Sequence, residues 1–100
     1  MTTLALYVRL EAKPGKEQEV EALLIDAREL VVEEADTVAW FALRIGPSTF
    51  AIFDVFADEG GRDAHLAGEA VRALIARAPD LFANQVDVVR VGVVADKLPG

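Results

Sequence analysis

The sequence predicts an α+β domain: a four-stranded antiparallel sheet with two helices on one face, in the order βαββαβ. Three observations predict it. Apolar residues alternate at period two near the start, in the middle and near the end of the chain, as half-buried strands require. Between those stretches the apolar period lengthens to that of an amphipathic helix. Both halves run strand, charged glycine-containing loop, helix, strand, with Gly15 and Gly60 in matching places. This weak internal symmetry fits the split βαβ, ferredoxin-like sandwich.

Leu4 to Glu11 alternates, with Leu4, Leu6, Val8 and Leu10 on one face and Ala5, Tyr7, Arg9 and Glu11 on the other, and reads as a strand. Lys13-Pro14-Gly15-Lys16 is loop chemistry. From Glu17, the residues Val20, Leu23, Leu24, Ala27, Leu30 and Val31 recur at helical spacing. Glu17 and Glu19 sit near the positive end of that helix, whose exit near Ala35-Asp36 carries no strong cap. Thr37 to Ile45 is rich in β-branched and aromatic residues, and Gly46-Pro47-Ser48-Thr49 separates it from Phe50 to Phe56, so a β-hairpin is expected. Gly60-Gly61 precedes a second helix with Ala67, Ala70, Val71, Leu74 and Ala78 on its apolar face, and Pro79 is expected to end it. After a turn at Asp80-Leu81-Phe82, Val86 to Val94 reads as the last strand and Lys97 to Gly100 as a short tail.

One hundred residues make a single domain spanning 1–100, with no room for a second domain or a long linker. A chain of this size buries only roughly two thirds of its unfolded surface. It has no cysteine, hence no disulfide to add stability and no Cys/His cluster at zinc spacing. At 53% hydrophobic residues, some apolar surface is left over. Two helices cover one face of the sheet, so the other face is wet, forms a pocket or packs on a second subunit, and a sheet-to-sheet homodimer resolves the excess most simply. The net charge of −7 argues against nucleic acid and against an anionic membrane as partner. Met1 to Leu10 lacks a positive n-region and a small-residue cleavage site, and no apolar run approaches the roughly 20 residues that span a bilayer. The expectation is a soluble cytoplasmic protein.

His65 is the single histidine and the side chain best suited to proton transfer near neutrality. On a helical wheel it clusters with Arg62, Glu69 and Arg72 rather than with Ala67, Val71 and Leu74, which reads as a solvated or capping residue. Its place in the first turns keeps a catalytic reading open. Asp54 lies inside a strand, where aspartate is disfavoured and unpartnered burial is costly. If Ile52, Asp54 and Phe56 face away from the helices, Asp54 can polarise His65 or bind a substrate hydroxyl in an apolar cavity. Otherwise it forms a cross-strand salt bridge with Arg9 or Arg44, or lies exposed at an edge. Tyr7, Arg9, Trp40 and Arg44 form a second tier, as donors to a substrate oxygen or as core and cover for apolar surface. Which face carries them depends on a hairpin register that a one-residue slip would reverse. There is no P-loop, no GxGxxG and no nucleophile elbow, and Asp58 and Glu59 make the Gly60-Gly61 turn a poor phosphate site. A metal would have to rely on carboxylates such as Asp54, Asp58 or Glu59, which disfavours a tightly bound transition metal.

Three segments together carry a resemblance: Ala12-Lys13-Pro14-Gly15-Lys16 followed by an acidic amphipathic helix, the strand Phe50-x-Ile52-x-Asp54-x-Phe56, and Asp58-Glu59-(x)5-His65-Leu66. The chain resembles the antibiotic biosynthesis monooxygenase family, the small dimeric α+β barrel proteins that include quinol monooxygenases. The resemblance implies a homodimer joined through the uncovered sheet face. It also implies oxidation of a small aromatic or quinol by molecular oxygen without cofactor, metal or flavin, in a pocket that stabilises a deprotonated phenol. By the same resemblance His65 is the base, Asp54 its orienter or a substrate ligand, and Ile52 and Phe56 occupy pocket-side positions where anthrone-oxidising members carry an Asn and a Trp. Tyr7, Arg9, Trp40 and Arg44 complete the expected substrate-binding set. Haem-degrading relatives have a Trp where this chain has His65 and a histidine where it has Ile75, so haem degradation is disfavoured. A branch acting on phosphorylated signalling sugars also resembles the chain. The alternatives to a monooxygenase are a non-catalytic dimeric ligand-binding or stress-associated protein, and an isomerase of a small oxygenated metabolite.

Overall fold

The structure, a computed structural model, describes residues 4–99; the first three residues of the stretch read for a leader, and Gly100 at the end of the expected tail, lie outside it. The elements are β1 (Leu4–Glu11), α1 (Glu17–Val31), β2 (Thr37–Arg44), β3 (Thr49–Phe56), α2 (Glu59–Leu66), α3 (Glu69–Leu81) and β4 (Val88–Gly92). The four strands form one sheet in the order β2-β3-β1-β4, antiparallel throughout. This is the ferredoxin-like α+β fold, with helices packed against one face. Gly15, at φ +84°, takes the left-handed conformation that turns the chain from β1 into α1.

Register fixes the faces. Leu4, Leu6, Val8 and Leu10 of β1 stand opposite Phe56, Asp54, Ile52 and Phe50 of β3, and Trp40, Ala42 and Arg44 of β2 stand opposite Asp54, Ile52 and Phe50. This set faces the helices, and Val8, Leu10, Phe50 and Ile52 pack with Val20 and Leu24 of α1, Leu74 and Leu81 of α3, and Phe82. Each large side chain so buried contributes roughly 1.5–3 kcal/mol. Asp54 therefore points into the helix-covered layer, so the parity that the sequence left open is settled toward the helices rather than away from them. The opposite face carries an uncovered row across all four strands, Phe41, Phe53, Tyr7 and Val89, with Phe41 51% and Val89 48% exposed.

Three further expectations are corrected. The second helix is two helices, α2 and α3, broken at Ala67-Gly68, where the Gly68 amide bonds the His65 carbonyl at 3.0 Å and Gly68 then caps α3. Pro79 does not end α3: it removes only its own amide from the last turn, and the helix runs on to Leu81, closed by Phe82 N–H to the Ala78 carbonyl at 3.0 Å. The last strand is shorter than Val86 to Val94. Asn84 takes the Glu11 amide and donates to the Arg9 carbonyl, both at 2.9 Å, and the Ala83 amide bonds the Glu11 carbonyl at 2.7 Å. These bonds occupy the end of β1, so the chain joins the ladder only from Val88. Among the described residues no helix is long and apolar enough to cross a membrane.

Candidate functional site

The site is built by a strand parity, a short helix and a tight turn. The pleat of β3 aims Asp54 at the helices, beneath α2. Asp58 caps α2, its carboxylate accepting from the Gly61 amide at 2.9 Å, which fixes where the helix begins and hence where His65 falls in its last turn. A Cβ on Gly61 would stand 3.0 Å from the Asp36 carbonyl oxygen and 3.1 Å from the Asp36 Cβ. Only glycine lets α2 lie this close to the turn between α1 and β2. That approach brings Glu34, from the turn, against the histidine.

The result is a carboxylate, imidazole, carboxylate chain. His65 Nε2 lies 2.9 Å from Asp54 Oδ2, and Nδ1 lies 2.5 Å from Glu34 Oε1. Glu34 Oε1 also accepts from the Thr37 hydroxyl at 2.8 Å. His65 is 4% exposed and Asp54 2%. The Phe56 ring packs on the imidazole with centroids 5.3 Å apart. Burial alone pulls the His65 pKa down, but the hydrogen bonds to Asp54 and Glu34, and their charges, outweigh it and raise it above its ordinary value. With a carboxylate beside each ring nitrogen, the geometry and the raised value favour the imidazolium, which can donate on both sides. Asp54 Oδ1, by contrast, is buried without a hydrogen-bond partner. An unpartnered buried acceptor costs about 1–3 kcal/mol, so it stands out as the open valence of the site.

Asp54 and His65 line an apolar cavity of about 40 Å³ between sheet and α3, otherwise walled by Leu6, Val8, Ile52, Leu66, Val71, Leu74, Ile75, Val86 and Val88. A second void of about 20 Å³ shares Ile52, His65, Val71 and Leu74 and reaches Trp40. Both are small beside the roughly 300–1,000 Å³ of ligand pockets, so a ring enters only if the walls part. On the far side of His65 lies an open cleft of about 360 Å³, lined by Glu33, Glu34, Asp36 and Glu69 among others. Among the described residues no group of three or more His, Cys, Asp or Glu side chains could hold a metal ion.

The structure brings Asp54, His65, Ile52 and Phe56 together, with Phe56 behind the imidazole and Ile52 in the cavity wall. Trp40 shares the helix-side face and lines the second void. Arg44 lies on that face further along β2, where it bonds Glu21 at 3.2 Å and the Pro47 carbonyl at 3.1 Å and covers the Phe50 ring. Tyr7 and Arg9 project from the opposite face, away from this cavity, and Arg9 pairs with Glu11 at 2.7 Å. The partner of Asp54 is neither Arg9 nor Arg44 but His65. His65 is not solvated as the wheel implied, because α2 and α3 do not share one helical phase. Glu34 was missed altogether. Its one signal is the pair Glu33-Glu34 just beyond the C-terminal end of α1, where the helix dipole disfavours negative charge and another group has to hold it.

Fold and site together define a small α+β sandwich whose apolar cavity is lined by a buried Asp54–His65 pair, and the fold is one that solved candidate antibiotic biosynthesis monooxygenases share. A candidate antibiotic biosynthesis monooxygenase from Nitrosomonas europaea superposes with a TM-score of 0.82 at 15% identity, over 92% of this chain and 90% of that one. Another from Bacteroides thetaiotaomicron superposes with a TM-score of 0.79 at 17% identity, over 98% and 95%. At such identities the likeness is one of fold. A protein of unknown function from Nitrosomonas europaea is much nearer, with 51% identity, a TM-score of 0.96 and coverage of 100% of this chain and 97% of that one. The chain belongs to the family of that protein. No protein-family model and no curated protein matches the chain.

Proposed function

We propose that the protein is a cofactor-independent monooxygenase that oxidises a small aromatic or quinol substrate with molecular oxygen, working as a homodimer. The observation that supports this reading is the apolar cavity whose polar atoms belong to the Asp54–His65 pair, with Asp54 Oδ1 free to accept. The pair acts in the reverse of the order the resemblance implied. His65, engaged at both nitrogens, has no lone pair to offer, so Asp54 is the base and His65 the cation beside it. Asp54 takes the phenolic proton and the anion left behind is electron-rich enough to give an electron to oxygen. A ring C–H bond gives way to a C–O bond, so that one oxygen atom stays on the ring, now a hydroxyquinone, and the other leaves as water made from the proton Asp54 had taken and the hydrogen lost from that ring carbon. All the electrons come from the substrate.

The row Phe41, Phe53, Tyr7 and Val89 supports the dimer, since an uncovered aromatic sheet face is the surface a second copy would cover. Oxygen uptake with a panel of small hydroquinones tests the activity, with loss in a folded His65→Gln variant expected. Normal turnover in that variant would remove His65 from the mechanism. The small cavity favours a second reading, a dimer that binds an apolar ligand without turning it over. Ligand-dependent thermal stabilisation with no oxygen uptake would establish that reading instead.

A further inference from the structure

His65 is a partition between two spaces. On its Nε2 side lies the apolar cavity with Asp54, and on its Nδ1 side the open cleft with Glu34. The two carboxylates differ in what can reach them. Asp54 presents a partnerless oxygen in apolar surroundings, so a substrate proton arrives there. Glu34 commits one oxygen to two donors, the ring and the Thr37 hydroxyl, and its side chain is 19% exposed toward the cleft. Once Asp54 accepts a proton it ceases to be a counter-ion. A buried imidazolium with no other anion would then lose its own proton, because burial favours the neutral ring. The cation facing the new substrate anion would vanish when it is needed.

We propose that Glu34 is a positioning residue, the second counter-ion that keeps His65 an imidazolium after Asp54 has been protonated. The inference rests on the reading of Asp54 as base. At rest the site holds two carboxylates and one imidazolium. The substrate O–H bond breaks, its proton goes to Asp54 Oδ1, and the anion remains in the cavity. Nε2–H still donates to Asp54 Oδ2 and Nδ1–H to Glu34, so no proton leaves and the total charge is unchanged. No other group substitutes for Glu34. Glu33, Asp36 and Glu69 line the cleft without a bond to the ring, and as like charges around it they reinforce the cation. Arg62, one turn earlier on α2, is buried but forms no ion pair with the three groups, and Arg90 of β4 lies 3.7 Å from Asp63. The sheet residues around the ring, Phe56, Trp40, Leu6 and Ile52, are uncharged.

The chain has one histidine, so ring nitrogen NMR reads His65 alone. Asp54→Asn imitates the protonated Asp54. The imidazolium is expected to persist in Asp54→Asn to a pH about one unit or more higher than in Asp54→Asn/Glu34→Gln, the usual effect of an opposite charge at this range. Thr37→Val, which only loosens Glu34, should give a smaller fall in the same direction. In Glu34→Gln the pH limit of hydroquinone oxidation should fall together with the His65 midpoint. Equal midpoints in Asp54→Asn and the double variant, both folded, overturn the proposal, as does an unmoved midpoint in both Glu34→Gln and Thr37→Val. If the wild type takes up no oxygen while the midpoints move as expected, the charge-setting role of Glu34 stands and the oxidation reading falls.

Discussion

Asp54→Asn separates what the buried pair does for stability from what it does for chemistry. The amide keeps the volume of a side chain that is 2% exposed, and its oxygen can still accept from His65 Nε2, now 2.9 Å from Oδ2. The bond passes from one between two charged groups to one between the imidazolium and a neutral amide, so the exchange loses about 1 kcal/mol of the roughly 1.5–3 kcal/mol that a bond to a charged group is worth. The partnerless Oδ1 is replaced by an amide group equally without a partner, so that cost of about 1–3 kcal/mol is carried by both forms and cancels. His65 keeps Glu34 and is not left as a bare buried cation. The variant should therefore unfold about 1 kcal/mol more easily, which in a domain of this size lowers Tm by about 4–8 °C. Hydroquinone oxidation should fall by about 10²–10⁴, the usual contribution of a general base. Thermal unfolding followed by circular dichroism and oxygen uptake with a hydroquinone read the two quantities. A loss of about 3–5 kcal/mol would instead mark the pair as structural, because that is the cost of breaking a buried ion pair. Full turnover would refute the role of Asp54 as base.

Because the His65 pKa is raised on folding, its contribution to stability is fully present below the unfolded value of about 6.5 and is lost as pH rises through the folded value. The urea midpoint should accordingly fall as pH rises above about 6.5, in step with the NMR titration of His65; a flat profile contradicts the raised value. On the uncovered face, Phe41→Asp places a charge in the middle of the aromatic row and should weaken self-association by about tenfold or more. Sedimentation across a concentration series reads it, and a wild-type monomer at micromolar concentration would end the dimer reading.

The strands, α1 and the sandwich were legible because each rests on local periodicity: Leu4, Leu6, Val8 and Leu10 fall on the buried face as the alternation requires. The same alternation tied Phe50, Ile52, Asp54 and Phe56 to one another, but only the packing of the helices decides which face of the sheet that set occupies. Residues that pair over long sequence distances were not legible. Asn84 taking the end of β1 shortens β4, and Glu34 meets His65 only after α2 settles on the turn between α1 and β2. The wheel misplaced His65 for one reason, that it assumed a single helix where the chain makes two.

That break is what makes the site possible, and it is open to test. His65 and Leu74 are nine residues apart, so on one continuous helix of 3.6 residues per turn they would project to opposite sides. Both are buried, at 4% and 6% exposure, because the chain resets its phase at Ala67-Gly68. Gly68 has an ordinary φ of −85°, so its need for glycine is not conformational. A Cβ there would stand 3.2 Å from Glu34 Oε2, 3.2 Å from the His65 carbonyl oxygen and 3.4 Å from that of Ala64. The carbonyls are fixed by the helix, whereas the Glu34 carboxylate is the end of a flexible side chain and is the group that must yield. Gly68→Ala should therefore cost only about 1–2 kcal/mol, at the lower end of overpacking. Its larger effect should be on His65, whose NMR midpoint should fall toward that of Glu34→Gln as the Glu34 bond lengthens. Loss of stability with an unmoved midpoint would mean that the crowding is relieved through the backbone, and that Gly68 serves the helix break alone.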